Sequence, residues 1–182
     1  MEFTLFYKGV IPSKNKVKVK VKHEIRCAFH SQLLKMRQLP PLVYHSDWFQ
    51  NPFPKELHKL ISGNDFICLV SHKLKMYVDL QIILYSAYKN RSFKDIDNKL
   101  KILFDALQIP RTNREIPSDW TPGKTERPLL CLLSDDKLIY KLHVDTDYIL
   151  ADNFFKPEEM LCIIRVKIKA NQHSDKFRDL TV

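Results

Sequence analysis

The sequence predicts a single α+β domain, a mixed sheet of about four or five strands with two main helices packed on it. Three observations predict it. Segments 2–8, 65–70, 76–86, 138–148 and 160–169 are rich in β-branched and aromatic residues or alternate apolar with polar ones. Segments 23–37 and 95–108 instead repeat apolar residues at helical spacing. The chain has 182 residues and 45% apolar content, enough for one core and crowded for two.

Taken in order, the first strand ends at Gly9 and Pro12. Lys14, Lys16, Lys18, Lys20 and Lys22 then alternate with Val17, Val19 and Val21, so an extended segment would carry ammonium groups on one face. The first helix is expected over 23–37, with Ile25, Phe29, Leu33 and Met36 on one stripe, and Pro40-Pro41 stops it. A loop to about Pro54 and a short helix over 55–61, ended by Gly63, precede the strands at 65–70 and 76–86. The helix over 95–108 is the clearest in the chain. Residues 109–134 hold four of the ten prolines and read as one long loop, of a length usually associated with function. Two strands close the domain, which spans 1–170. Residues 171–182 read as a polar, mobile tail.

Composition narrows the function classes. A formal net charge of +9 points to a polyanion partner, because neutralising phosphates releases counterions. No run approaches the ~18 apolar residues of a membrane span. The first residues lack the features of a signal peptide, so a cytoplasmic location is expected. Cys27, Cys68, Cys131 and Cys162 are widely spaced among apolar neighbours, which indicates buried free thiols and no zinc site.

On the helix over 95–108, Ile96, Leu100, Leu103, Phe104 and Leu107 share one arc that should face the core. Asp97, Lys101 and Asp105 follow an i, i+4, i+8 ladder with Asn98 beside them, and Asp95 stands at the helix entrance. Close carboxylates repel unless a cation lies between them, and hard oxygen ligands suit Mg²⁺ or Mn²⁺. Such a metal activates water and polarises a phosphodiester, with Lys101 placed to steady a phosphate. The same residues also suit helix capping and an ordinary solvated salt-bridge face.

The pattern Asp-x-Asp-Asn-x-x-Lys-x-x-x-Asp-x-Leu at 95–107, with the later pair Asp135-Asp136 opening a strand, resembles the RusA family of Holliday junction resolvases. The resemblance implies a homodimeric, Mg²⁺-dependent endonuclease acting on branched DNA, with Mn²⁺ as a substitute. It places Asp95, Asp97 and Asp136 as metal ligands, Lys101 as the motif lysine and Asn98 as the motif asparagine, with Asp105 and Asp135 as accessory acids. Pro12-Ser13-Lys14-Asn15 is similar to that family's N-terminal turn. The order of elements also fits. The 109–134 loop is longer than usual, and residues 38–63 have no counterpart.

Lys14, Asn15, Lys16, Lys18 and Lys20, with Asn98, are candidate DNA contacts; an exposed edge strand guarded by lysines is the competing explanation for the ladder. Arg165, Lys167 and Lys169 repeat the alternation and read as an edge strand. Trp48, Phe49 and Trp120 suit either stacking on bases or anchoring loops to the core, the latter preferred. His143 is expected at the surface. Two other functions remain open: a basic nucleic-acid-binding protein without catalysis, and a metal-dependent nuclease for flaps or forks.

Overall fold

A computed structural model describes residues 1–12, 19–40, 42–50, 52–88, 95–151 and 153–170. It is an α+β domain built on two mixed sheets. The larger has the order β1 (Glu2–Val10), β7 (Glu159–Ala170), β4 (Met76–Ala87) and β6 (Ile139–Ile149). β7 runs antiparallel to both neighbours, and β6 runs parallel to β4. The smaller sheet has the order β2 (His58–Ile61), β3 (Asn64–Val70), β5 (Leu129–Leu133). The two helices are α1 (Val19–Met36) and α2 (Ile96–Leu107).

Alternation decides which side of the large sheet is covered. Along β4, Val78, Leu80, Ile82 and Leu84 are buried, while Asp79, Gln81 and Ile83 between them are half-exposed. The covered face supports α1, whose Ile25, Phe29 and Leu33 recur every fourth residue and are fully enclosed. α1 touches β1, β5 and α2, which places it at the centre of the domain. Its Gln32 side chain accepts from the Phe6 N–H at 3.0 Å and donates to the Phe6 carbonyl at 2.7 Å. That amide occupies backbone groups at the outer edge of β1 which would otherwise invite another strand. In the smaller sheet the β3–β5 ladder continues past the strand ends, where the Ser134 N–H donates to the Val70 carbonyl at 2.9 Å.

Several expectations are corrected. Lys20 and Lys22 lie on α1, which begins four residues earlier than the stripe suggested, so no extended ladder reaches them. Val21 packs on the core one turn before Ile25, which carries the helical repeat back through the alternating segment. Lys14, Lys16 and Lys18, like the tail after 170, lie outside the described residues. The short helix expected over 55–61 is instead strand β2, paired antiparallel with β3 through Ser62-Gly63, both at positive φ. A two-residue turn of that kind matches the twist of a hairpin. The expected long loop contains β5, whose five residues are all buried. β7, read as an edge strand from its lysines, is internal. Its charged residues simply occupy the uncovered face.

The aromatic residues anchor loops. Trp48 and Phe49 are buried, and the Arg37 guanidinium lies 4.6 Å from the Phe49 ring centroid. Trp120 fixes the 109–128 connection by packing edge-on against His23 at 4.3 Å and against Phe66 at 6.2 Å. His143 is exposed beside Asp145, 3.0 Å away.

Candidate functional site

α2 buries Ile102, Leu103, Ala106 and Leu107, with Ile96, Leu100 and Phe104 packed at the margin. The buried arc is turned slightly from the expected one, since Ile102 and Ala106 join it. The polar strip faces solvent as anticipated. Asp97 and Lys101 are 73% and 72% exposed and stand 3.7 Å apart, one turn removed from each other. A pair this exposed contributes little to stability. Asn98 is half-exposed beside them.

Asp95 occupies the N-cap position with φ 57° and ψ 43°, a left-handed conformation, and its side chain makes no capping bond. An ordinary cap has an extended backbone and a side-chain oxygen on the first free N–H groups. Asp95 does neither, although aspartate tolerates this region better than most residues. Capping therefore does not account for its presence. Lys99 Nζ, its pKa lowered by burial, donates to the Ile11 carbonyl at 2.6 Å. Thus the end of β1 is tied to the first turns of α2. Lys14 and Asn15 themselves lie outside the described residues.

A second polar cluster stands at the other end of α2. Asp105 pairs with Lys22 at 2.9 Å, and its backbone carbonyl accepts from Arg26 at 2.7 Å. Asp136 accepts from Arg111 at 2.9 Å, while its N–H donates to Gln108 Oε1 at 3.2 Å. Gln108 Nε2 donates in turn to Asp105 Oδ1 at 3.2 Å, so one amide links the two acids. Burial raises the Asp136 pKa, as do its hydrogen bond with Asp135 and the charge of Asp105, against the lowering by Arg111. Asp135 is held low, mainly because its carboxylate accepts from the Lys137 N–H at 2.9 Å as the cap of a short 3-10 turn.

The sequence-predicted residues are therefore divided. Asp95, Asp97, Asn98 and Lys101 share the start of α2, whereas Asp105, Asp135 and Asp136 gather past its middle and end. Eight residues of helix, about 12 Å of rise, separate the levels of Asp97 and Asp105. Among the described residues no three His, Cys, Asp or Glu side chains stand close enough to hold one metal ion. The donor set Asp95, Asp97 and Asp136 thus does not fit a single cation in this arrangement, and Asp136 is already engaged by a guanidinium. What the two ends offer differs. The first presents exposed carboxylates and an ammonium to a ligand from solvent; the second is an internally paired network.

Sequence patterning does not mark Lys22, Arg26, Gln108 and Arg111 as partners of the acids. Lys22 reads there as part of an extended ladder. Only its position one helical turn before Arg26 hints that both reach the same neighbour. Nothing in the linear sequence pairs Arg111 with Asp136. No family model, curated protein or solved structure matches this chain.

Proposed function

We propose that this chain is a cytoplasmic endonuclease of the RusA type, acting as a homodimer on four-way or related branched DNA. The reading rests on the motif at 95–107 with the Asp135-Asp136 pair, together with the net charge of +9 that suits a polyanion. The observation that carries it is the conformation of Asp95. Its backbone is left-handed and its side chain makes no capping bond, although its carbonyl accepts from the Lys99 N–H at 3.1 Å, and it stands next to an exposed Asp97–Lys101 strip. In this reading Lys101 would meet a backbone phosphate, and Asp95 and Asp97 would be the two carboxylates that hold a divalent cation together with water and phosphate oxygens, the cation supplying activation of water. Asp136, engaged by Arg111 at the other end of α2, has no part in it.

The second reading is a basic nucleic-acid-binding protein without catalysis. It draws on the same division of the acids, since Asp105 and Asp136 are satisfied by Lys22 and Arg111. A labelled four-way junction, incubated with and without Mg²⁺, separates the two. Paired nicks that vanish with EDTA and with Asp97→Asn, while junction binding persists, are the expected result. Binding without any Mg²⁺-dependent nicking would reject the nuclease. Faster cutting of flaps or forks would keep the chemistry and change the substrate.

A further inference from the structure

The first turns of α1 carry Lys20, His23 and Glu24 on one stripe, since residues three and four apart share a helix face. Across a hollow of 500 Å³ from them lie Asp119, Trp120 and Glu126 of the 109–128 connection. That volume falls within the ~300–1,000 Å³ of small-molecule pockets.

His23 is 3% exposed. Its Nδ1 lies 3.2 Å from the Arg26 guanidinium, which can only donate, so Nδ1 accepts. The ring is neutral, because burial and the charge of Arg26 hold its pKa at about 4. Its one proton therefore sits on Nε2, and that N–H has no acceptor among the described residues. A buried donor left alone is uncommon and costly. The Trp120 ring, 4.3 Å away between centroids, is at most a weak π acceptor. Glu24 and Asp119 are exposed, and their side chains form no ion pair or hydrogen bond among the described residues. Glu126 Oε2 is already taken by the Gly123 N–H at 2.8 Å. The walls thus offer one donor and two free carboxylates.

This set selects its ligand. An anion is disfavoured, because three carboxylates outnumber the single ammonium of Lys20. A plain ammonium would bring no oxygen to the His23 N–H. A metal ion needs a bare ring nitrogen, and Arg26 keeps the proton on Nε2. What fits is a neutral ring with one acceptor beside two donor groups, packed along the aromatic wall of Trp120. Among nucleobases the pairing edge of guanine has that order, O6 then N1–H then the amino group. Thymine has two acceptors around one donor.

We propose that this hollow takes one unpaired guanine of a nucleic-acid strand, with the His23 Nε2–H donating to O6 and the carboxylates of Glu24 and Asp119 accepting from N1–H and the amino group. Unpaired bases are commonly read in this way, by their pairing edge and an aromatic surface. Lys20, beside the hollow, is placed for the adjoining phosphate. The choice of guanine follows from the walls; its attachment to a strand rests on the nucleic-acid reading above.

The test is fluorescence anisotropy on the full chain with short labelled oligothymidine strands carrying one central dG, dA or dC, or no other base. All four have the same charge, so differences in Kd read the base. The dG strand should bind about tenfold tighter than plain oligothymidine, the usual worth of one well-read base. The dA and dC strands should stay near the plain one. His23→Phe, which keeps a ring against Trp120, should lose the preference. Glu24→Gln, at an exposed position, should lose it too while unfolding cooperatively, and it decides the matter if His23→Phe does not fold. Equal affinity for all four strands, or a dG preference that survives Glu24→Gln, would overturn the inference. So would free guanosine competing as well as the dG strand, which would make a nucleoside the ligand. Neither a junction nor Mg²⁺ enters this measurement. A chain that nicks junctions yet binds the four strands alike sinks this inference alone, and one that prefers dG without nicking sinks only the nuclease.

Discussion

Arg26 is 1% exposed, and its guanidinium donates to the Gln108 carbonyl at 3.2 Å, the Asp105 carbonyl at 2.7 Å and His23 Nδ1 at 3.2 Å. Two of these acceptors are carbonyls at the C-terminal end of α2, where a helix leaves such groups unbonded and a cation meets the negative end of its dipole. Arg26→Met keeps much of the volume and removes all three bonds. Each buried carbonyl left without a donor costs about 1–3 kcal/mol. Removing a buried cation returns some of its desolvation cost, so the net loss is set at about 3 kcal/mol. With an m-value of about 2 kcal/mol/M for urea, the unfolding midpoint should fall by about 1.5 M at unchanged slope. Arg26→Lys should recover only part, because one ammonium lacks the planar fork that spans both carbonyls. A midpoint shift under about 0.3 M for Arg26→Met would refute the reasoning, since α2 would then end as firmly without the guanidinium.

Three further outcomes follow from the same structure. His23 is buried against Trp120 and beside Arg26, and burial first, then that cation, lowers its pKa to about 4. The unfolded chain takes up this proton near pH 6.5 and the folded chain only near 4. Stability should thus be complete above about pH 6.5 and fall by up to about 3 kcal/mol as pH drops through that window. Urea titrations of His23→Gln should show a shallower slope there. Burial pushes the thiols of Cys27, Cys131 and Cys162 up to about 12 and that of Cys68 upward as well, so a thiol-specific disulfide reagent should label the native protein slowly and all four cysteines in urea. Asp136→Asn loses the ion pair with Arg111 but not the Gln108 bond to its N–H, and should cost under about 1 kcal/mol of stability by thermal unfolding.

The parts of the fold legible in the sequence were those whose pattern is local. The 3.6-residue repeat of α2 and the alternation of β4 and β7 each carry their own period, so both their existence and their exposed faces could be read. β5 could not, because Leu129–Leu133 is buried on both sides in a parallel pairing with β3 and shows no alternation. Its neighbours in sequence are prolines and polar residues, which point to a loop. β2 is illegible in the sequence for a different reason. Four residues are too few to show a period, and only the Ser62-Gly63 turn marks the hairpin. In the same way, lysine alternation on β7 marked which face is open to solvent but not whether a strand lay on either side.

For the candidate site, the contrast lies between spacing along one helix and distance between elements. The positions of Asp95, Asp97, Asn98 and Lys101 on a solvent strip follow from their offsets in α2, and the structure places them there. The position of Asp136 depends on where β5 delivers the chain, which no offset encodes. β5 pairs in parallel with β3, and Gln108 bridges to Leu133, so Asp136 emerges beside the end of α2 and not its start. The motif thus contains two physically distinct groups of acids. Asp97→Asn and Asp136→Asn consequently separate them: the first should act on a ligand from solvent, and the second on the internal network of Gln108 and Arg111. If both abolished junction cleavage equally while leaving stability unchanged, the acids would have to meet on the substrate in a way that the free chain does not show.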